Sequence, residues 1–378
     1  MKNVFLLSAI ALACSGALAQ SSVTLQGVVD VNAQRFDSGG VGKATMVGNG
    51  GLSTSRLVFR GTEDLGGGLN AGFWLEGSIN PDNGEGRNTN LNNQPSGSVA
   101  GPAGTTGFKF DRSAYVSLGS QSMGQLRLGH DFIPTHWNSI FFDPFNANGV
   151  ARAGNLTFAG VTTAPLPSAI TASNSISYWL PAKLGGVYGM AMVATGENNS
   201  DTANSKDGNL AGFRLGYATG PFDMAVAMTR TKNVSTATIG EYTHANIGGT
   251  YNAGFAKFFA LYNTVKIKLV AGDVRKNTAE IGAHIPVGPA GRIRVSYAVL
   301  DDRSSASLTN ANGSLRSDND ARQIGLGYVH DLSKRTALYT NYARLTNKGQ
   351  ATYAVSGGRA PLGGQKATGV EVGVRHLF

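Results

Sequence analysis

The chain has 378 residues, of which 52 are glycine and one is cysteine, and it carries 32 basic against 23 acidic side chains. This glycine share is roughly twice the usual one. Without a Gly-X-Y period it excludes collagen, and the 41% hydrophobic content argues against a disordered chain. No segment after residue 19 approaches the ~18 consecutive apolar residues that a membrane-spanning helix needs. The basic balance suits nucleic acid, an anionic membrane surface or small anionic solutes as partners.

The amino terminus predicts a cleaved export signal. Lys2 precedes an apolar run and a group of small residues that ends at Ala19, the pattern of a secretory signal peptide. We therefore expect a signal peptide over residues 1–19 and a single domain over residues 20–378. Acylation at Cys14 is the alternative, but the residues before it match a lipoprotein site poorly. Export argues against nucleic acid as a partner and leaves anionic solutes as the interesting candidate.

Apolar and polar residues alternate strictly from the start of the expected mature chain. Over residues 23–34, one parity carries mainly valine, leucine and alanine, while the other carries threonine, glutamine, aspartate and asparagine. The same pattern recurs near residues 280–285, 292–299 and 370–378. A period of two predicts strands with one apolar and one polar face. No amphipathic helical pattern competes with them.

About sixteen strand-like segments can be counted along the chain. Their centres lie near residues 28, 58, 73, 115, 127, 177, 191, 214, 227, 247, 261, 282, 296, 326, 340 and 372. Short turns alternate with long polar loops over residues 37–51, 80–107, 131–172, 197–208, 302–320 and 347–365. Short turns at one rim and long loops at the other predict an up-and-down antiparallel barrel in a membrane. The alternation slips between residues 255 and 278, where the strand boundaries are least defined.

A soluble β-sandwich or an exported β-solenoid would also show alternation. Two observations favour the membrane barrel. No fixed internal repeat is visible, and aromatic residues gather near the predicted strand ends, as the interfacial girdles of such barrels require. These aromatic residues are Phe36, Tyr178, Trp179, Tyr217, Phe222, Tyr297, Tyr328 and Tyr342.

Several segments resemble the trimeric general porins of beta-proteobacterial outer membranes, in particular their anion-selective type. The carboxyl end, Glu371–Phe378, alternates apolar residues and finishes in phenylalanine, like the signal that assembly machinery reads. Further similar segments span the mature chain and lie at residues 22–25, 53–69, 71–77 and 327–339. The resemblance implies an all-β, 16-stranded homotrimeric barrel with short periplasmic turns, long extracellular loops and an inward-folded third loop. A lumen of that width holds water.

A pore selects solutes by the width of its narrowest part and by the charges that line it. In residues 55–60 the two apolar side chains suit lipid, which places Arg56 and Arg60 inward. Arg112 shares the parity of Val116, opposite Tyr115, which also suggests a water-facing side chain. Charged residues of this kind near the third loop are therefore candidates for the constriction.

The resemblance adds further candidates to the constriction. It implies that Arg56 and Arg112 belong to a basic cluster, and that Glu76 and Asp143 face it as acids. It also implies that the third loop opens at residues 129–135 and has its tip at 142–145. Opposite charges across a narrow lumen create a transverse field, and the basic side raises the local anion concentration.

The chain departs from the resembled pattern at two positions. Anion-selective members often carry arginine where this chain has Thr171, and again where it has His130. Losing one guanidinium and replacing another with an imidazole should weaken an anion preference near neutral pH. Arg152 or Arg127 could compensate. The complete predicted constriction comprises Arg56, Arg60, Glu76, Arg112, His130 and Asp143.

Signatures of cofactor, metal and catalytic sites are incomplete in this sequence. The glycine-rich segment 39–45 resembles a phosphate loop, but Ala44 stands where serine or threonine must follow the lysine. Residues 318–320 lack the glycine and distal glutamate of a calcium loop. There is no His-Glu-x-x-His and no Gly-x-Ser-x-Gly motif. We expect no cofactor and no enzymatic activity.

The leading functional prediction is a passive outer-membrane channel for small hydrophilic solutes and ions, with an anion preference. Its expected partners are those solutes, outer-membrane lipids and two further copies of the chain, with no nucleic acid. A lipid-hydrolysing barrel is one alternative, which would need a serine and a histidine brought together on the lipid face. An adhesin or structural barrel that binds through its long loops is the other. The sequence leaves the physiological solutes and the exclusion size open.

Overall fold

The computed structural model describes residues 22–94, 107–158 and 167–378, so the predicted signal peptide lies outside the described residues. Antiparallel strands follow one another around a closed ring, because the first strand pairs with the last. The strands are β1 (Ser22–Ser38), β2 (Gly42–Asn49), β3 (Arg56–Gly66), β4 (Leu69–Ser78), β5 (Ser113–Ser120), β6 (Gly124–Phe132), β7 (Thr171–Trp179), β8 (Val187–Ala194), β9 (Leu210–Thr219), β10 (Phe222–Thr231), β11 (Glu241–Asn252), β12 (Lys257–Leu269), β13 (Gly272–Val287), β14 (Gly291–Asp302), β15 (Ala321–Asp331), β16 (Thr336–Asn347) and β17 (Lys366–Leu377).

These segments form a 16-stranded barrel, because β2 and β3 together occupy one strand position. Both pair with β1 along the same edge, β2 with residues 31–38 and β3 with residues 22–28. Residues 50–55 interrupt the pairing between them and leave the ladder. The predicted closed barrel is therefore confirmed, and all sixteen predicted strand centres fall inside strands.

One predicted long loop contains a strand, and the two strands in the region of slipped alternation are joined by a tight turn. The expected loop over residues 37–51 is instead a tight turn at residues 39–41 followed by β2, whose sequence lacks the clean alternation that reveals the other strands. Strands β12 and β13 are joined by Val270 and Ala271 alone. Both strands pair regularly along their length, so the slipped alternation there does not reflect a broken strand.

The alternation separates a lipid face from a lumen face. On β1, Val23 and Leu25 are 74% and 57% exposed, whereas Asp30 on the other parity is 0% exposed beneath loops that enter the lumen. Six of the eight predicted girdle aromatics are exposed on the outer face: Tyr178, Tyr217, Phe222, Tyr297, Tyr328 and Tyr342. Phe36 and Trp179 are exceptions, because their strand parity turns them inward. Nearness to a strand end therefore does not determine whether an aromatic side chain faces the lipid or the lumen.

The third long loop folds into the lumen, as predicted. Its described residues include the α-helices α1 (Pro134–Phe142) and α2 (Gly154–Thr157), and they follow the inner wall from β8 to β17. Asn138 Nδ2 donates to Asn246 Oδ1 at 2.9 Å, and Asn155 Nδ2 donates to Gln323 Oε1 at 2.8 Å. Within the described ranges, no helix has the length and apolar character to cross a membrane.

Glycines on alternate strands let the third loop approach the wall. A Cβ atom at Gly248 would lie 2.6 Å from the Phe142 ring, and one at Gly282 would lie 2.4 Å from the Pro144 ring. Real Cβ atoms do not come this close to their neighbours, so the approach requires glycine at both positions. The row continues on β15 and β17. We call Gly248, Gly282, Gly325 and Gly369 the glycine track.

The loop over residues 347–365 also packs inward. Tyr353 and Val355 are 4% and 2% exposed and join one apolar cluster with Phe36 and the third-loop residue Val150. Lys276 Nζ on β13 donates to the Tyr353 hydroxyl at 2.7 Å. Two inward loops therefore share one core inside the barrel, and the open lumen is left along the opposite wall.

Candidate pore constriction

One carboxylate holds two arginines on the wall opposite the third loop. Glu76 Oε1 lies 3.2 Å from Arg56 Nε and also accepts a hydrogen bond from Arg112 Nε. Its second oxygen accepts a hydrogen bond from Trp74 Nε1 at 2.9 Å. Two guanidinium groups and one carboxylate have a net charge of one positive unit. We call Arg56, Glu76 and Arg112 the Glu76 group.

Strand register places Arg56 and Glu76 on the same inner face. Val58 pairs with Glu76, and Arg56 pairs with Ser78, so these four side chains share the lumen side of β3 and β4. Arg56 Nη1 also donates to the Thr54 carbonyl at 2.8 Å, in the segment that interrupts β2 and β3. The interruption therefore fixes the direction of the guanidinium that begins β3.

Arg112 reaches Glu76 for a different reason from the one predicted. On β5 the inward parity belongs to Ser113 and Tyr115, while Val116 is 56% exposed on the lipid face. Regular parity would have turned Arg112 toward lipid. Strand parity does not apply to Arg112, because this residue precedes the first residue of β5. Its backbone N–H donates to the Glu76 carbonyl at 3.2 Å.

Arg112 lines a cavity of about 1040 Å³ on the long-loop side of the lumen, and Arg56 adjoins it through its hydrogen bond to Thr54, which also lines the cavity. Arg87, Arg112 and Arg152 line it, together with Asp82 and Asp111. Asp111 accepts hydrogen bonds from the backbone and hydroxyl of Ser78, at 2.6 and 2.9 Å. Arg152 Nε is buried and has no hydrogen-bond partner among the described residues. The third loop thus brings a guanidinium to the cavity.

His136 lines the same cavity without contributing charge at neutral pH. Burial, with a smaller contribution from the nearby Arg112, lowers the pKa of this imidazole to about 3. The ring stacks on Phe132, with 5.2 Å between the ring centroids. The positive potential of the cavity therefore comes from its arginines.

Asp143 does not line the cavity, contrary to the prediction that it faces the basic cluster. Its side chain is 0% exposed and lies between the third loop and the barrel wall. The carboxylate accepts backbone hydrogen bonds from Phe145 at 2.7 Å, Ala147 at 3.1 Å and Ala153 at 2.9 Å. Because three backbone N–H groups donate to it, the Asp143 carboxylate stabilises the conformation of the loop tip. The sequence could not reveal this, because those amides become available only once the loop has folded.

His130 also lies apart from the two arginines. It sits where the β6 pairing is irregular and shares the parity of Leu128, which is 43% exposed on the outer face. Its Nδ1 lies 2.8 Å from Ser173 Oγ, and its Nε2 lies 3.1 Å from the Asp111 carbonyl. The imidazole therefore ties β6 to its neighbours and does not contact the Glu76 group.

Arg60 and Arg127 lie on the lumen wall nearer the short-turn rim. Arg60 is exposed, packs over the Trp74 ring at 5.7 Å, and makes no ion pair with any described residue. Arg127 pairs with Asp131 at 3.0 Å and packs over Trp179 at 4.1 Å. The predicted inward direction of Arg60 thus agrees with its position, but it lies below the Glu76 group.

Sequence reasoning missed Arg87 and could not place Arg152. Both lie in loops, where alternation carries no information about direction. Trp74 was also missed, although a signal existed: it shares the parity of Glu76 on an alternating strand. An aromatic side chain on the polar parity of a barrel strand indicates a lumen role.

Comparison with known proteins agrees with this architecture. The Gram-negative porin family matches residues 7–350. The chain belongs to this family. It is 35% identical over 384 aligned positions to outer membrane porin protein 32 of Delftia acidovorans and 27% identical over 439 positions to an outer membrane porin of Bordetella pertussis, with full coverage of all chains.

Solved porin structures show the same fold. The anion-selective porin from Comamonas acidovorans superposes with a TM-score of 0.79 at 35% identity, covering 95% of this chain and all of that one. The trimer form of OmpT from Vibrio cholerae gives a TM-score of 0.65 at 13% identity, covering 95% and 99%, which supports the fold alone. This porin is therefore an outer-membrane channel, and its relatives are channels rather than enzymes.

Proposed function

We propose that this porin passes small anions in preference to cations, and that Arg56, Arg112 and Arg152 supply the preference. The observation that carries the proposal is the sharing of Glu76 by Arg56 and Arg112, which leaves one guanidinium charge uncompensated beside the cavity. The Comamonas acidovorans protein, 35% identical to this chain, is an anion-selective porin, which supports the same sign of ion selectivity here.

Arg152 supplies the charge that Thr171 lacks. Thr171 stands where anion-selective relatives often carry arginine, and both residues line the same cavity. Arg152 approaches from the third loop instead of from the strand wall. Its side chain lines the cavity and makes no ion pair with a described residue, so its charge acts on the anions that pass.

The size of the effect follows from simple electrostatics. One unit charge about 4 Å from a permeating ion contributes about 1 kcal/mol in water, which corresponds to roughly a fivefold change in local ion concentration. Screening by salt reduces this value. The preference should therefore be moderate and should weaken as ionic strength rises.

Reversal potentials across a planar bilayer under a KCl gradient test the proposal. The native channel should favour chloride, and Arg152→Gln should lower the chloride-to-potassium permeability ratio by roughly two- to fivefold. Arg322→Gln is a matched control, because Arg322 is exposed on the outer parity of β15. A cation preference in the native channel, or equal ratios for Arg152→Gln and the control, would refute the assignment.

The homotrimer and the cleaved signal remain part of this proposal. Export through a signal peptide over residues 1–19 predicts a mature chain beginning at Gln20, which terminal sequencing of the protein from outer membranes would test. A trimer predicts an oligomer of three times the chain mass in mild detergent. The signal is expected from the amino-terminal residues and the trimer from the family resemblance, and a monomer would contradict the second.

A further inference from the structure

Arginine and aromatic side chains alternate along the inner wall between the Glu76 group and the short-turn rim. Arg60, Trp74 and Tyr115 lie in direct register on β3, β4 and β5. Arg127 follows on β6, and its guanidinium lies 4.6 Å from the Tyr115 ring and 4.1 Å from the Trp179 ring. We call Arg60, Trp74, Tyr115, Arg127, Trp179 and Arg214 the arginine–aromatic arc.

The arc ends at the third loop. Trp179 and Arg214 both pair in register with Met190, from opposite sides of β8. Arg214 packs 4.6 Å over the Tyr188 ring and donates from Nε to Asn138 Oδ1 on α1 at 2.7 Å. The arc thus crosses seven consecutive strands from β3 to β9.

The arc has accessible rings and incompletely compensated charge. Arg60 is exposed, and the rings of Trp74, Tyr115 and Trp179 are half-buried. Of the three arginines in the arc, Arg127 forms an ion pair, with Asp131. Arg60 and Arg214 have no carboxylate within ion-pair distance among the described residues. Arg214 is buried and donates to Asn138 and Tyr188, so the accessible guanidinium without an ion pair is that of Arg60. Partly exposed aromatic rings beside it can bind a ring and a carboxylate at once.

We propose that the arc is a binding track for aromatic carboxylates, along which planar anions pass through the short-turn half of the lumen. This proposal rests on the anion preference proposed above. A ring stacks on Trp74 or Tyr115 while its carboxylate pairs with Arg60, and Trp179 extends the aromatic surface toward the third loop. Repeated weak sites suit a channel, because a permeating solute must be able to leave each site. A saturated ring of the same charge lacks the stacking contribution.

Intrinsic fluorescence can report on this track without any measurement of current. The chain has three tryptophans, and two of them, Trp74 and Trp179, belong to the arc. The third, Trp137, lies with its ring centroid 5.6 Å from that of Trp179. Excitation at the red edge of tryptophan absorption avoids absorption by the added acids. A ligand bound in the arc should therefore alter the emission of the full barrel in detergent.

The experiment titrates the native protein with benzoate, cyclohexanecarboxylate and benzamide, which separate ring stacking from charge. Benzoate should bind roughly two- to tenfold more tightly than either of the others. Arg60→Gln should remove its advantage over benzamide, and Tyr115→Leu should reduce its advantage over cyclohexanecarboxylate. Arg60 is exposed and Tyr115 is half-buried, and retention of the β-barrel circular dichroism spectrum would confirm that both variants fold.

Arg322→Gln on the outer face serves as the control that should leave the benzoate advantage unchanged. Equal affinities for benzoate and cyclohexanecarboxylate, or a benzoate advantage that survives both arc variants, would overturn the track. Reversal potentials on the same preparations keep the two proposals apart. Chloride preference without ring discrimination refutes the track alone, whereas ring discrimination without chloride preference refutes the proposed ion selectivity.

Discussion

The Glu371 carboxylate on the last strand accepts a hydrogen bond from the backbone N–H of Val150 in the third loop, at 3.2 Å. The same carboxylate accepts from Asn341 Nδ2 on β16 and from Gln34 Nε2 on β1. Because β1 and β17 close the barrel, the residues that complete the wall also hold the far end of the loop.

We expect Glu371→Ala to loosen the third loop. The substitution leaves the Val150 amide and the Asn341 and Gln34 side chains without their acceptor, and an unsatisfied buried polar group costs about 1–3 kcal/mol. Single-channel recordings should show a noisier open current with more substates. Glu371→Gln, which keeps one acceptor oxygen, should fall between this variant and the native channel. A native-like trace for Glu371→Ala would mean that other contacts suffice to hold the loop.

The raised pKa of the Asp143 carboxyl leads us to expect that docking of the third loop against the barrel wall depends on pH. Burial raises the pKa of Asp143 to about 6, although three backbone amides and Arg294 oppose the shift. A group whose pKa is higher in the docked state binds its proton more tightly there, so docking is strongest below about pH 4. Stability is lost as pH rises through about 6. Glu280 on β13 lies close to Asp143 and is the neighbouring carboxyl that this titration involves.

Open-channel noise measured from about pH 4 to about pH 7 checks this dependence. The native channel should be quietest at the acid end and noisier toward neutrality. Asp143→Asn cannot titrate and should flatten the profile, and Glu280→Gln should reduce its amplitude. If the Asp143→Asn profile matches the native one, another group is responsible for the pH dependence.

A side chain added to the glycine track should displace the third loop. Gly248→Val places two methyl groups where the Phe142 ring lies, and overpacking of this kind typically costs about 1–3 kcal/mol. We expect a changed single-channel conductance and a smaller change in the chloride-to-potassium permeability ratio, because Arg152 lies in the displaced loop whereas Arg56 and Arg112 do not. Gly107→Ala is the matched control, because a Cβ there has no heavy atom within 4 Å. An unaltered conductance for Gly248→Val would show that the loop tolerates the added volume.

A buried hydroxyl near the barrel seam should contribute to stability. The Tyr339 hydroxyl on β16 donates to the Asp30 carboxylate on β1 and accepts from Asn32 Nδ2 at 2.9 Å. Tyr339→Phe should lower the free energy of unfolding by about 1–3 kcal/mol, since it leaves a buried carboxylate short of a donor. Tyr342→Phe on the outer face of the same strand is the control. Urea unfolding from lipid vesicles gives both values, and equal values would contradict the expectation.

The sequence predicted the wall better than the lumen. Strand centres and the inward position of Arg56 follow from a period of two, which any membrane barrel must obey. Arg112 was assigned to water with an incorrect reason, because parity does not extend beyond the first residue of a strand. Asp143 and His130 were placed at the constriction by resemblance, whereas their hydrogen-bond partners come from segments that meet only in the folded barrel. Arg152 lies in a loop whose path depends on distant glycines.

The glycine track bears on the width of the channel more than on the charges that line it. The position of the third loop depends on how closely it approaches the wall at Gly248 and Gly282. Arg56 and Arg112 lie outside that loop, whereas Arg152 is part of it and moves with it. Substitutions in the glycine track should therefore alter the width of the lumen more than the charges that the wall itself presents.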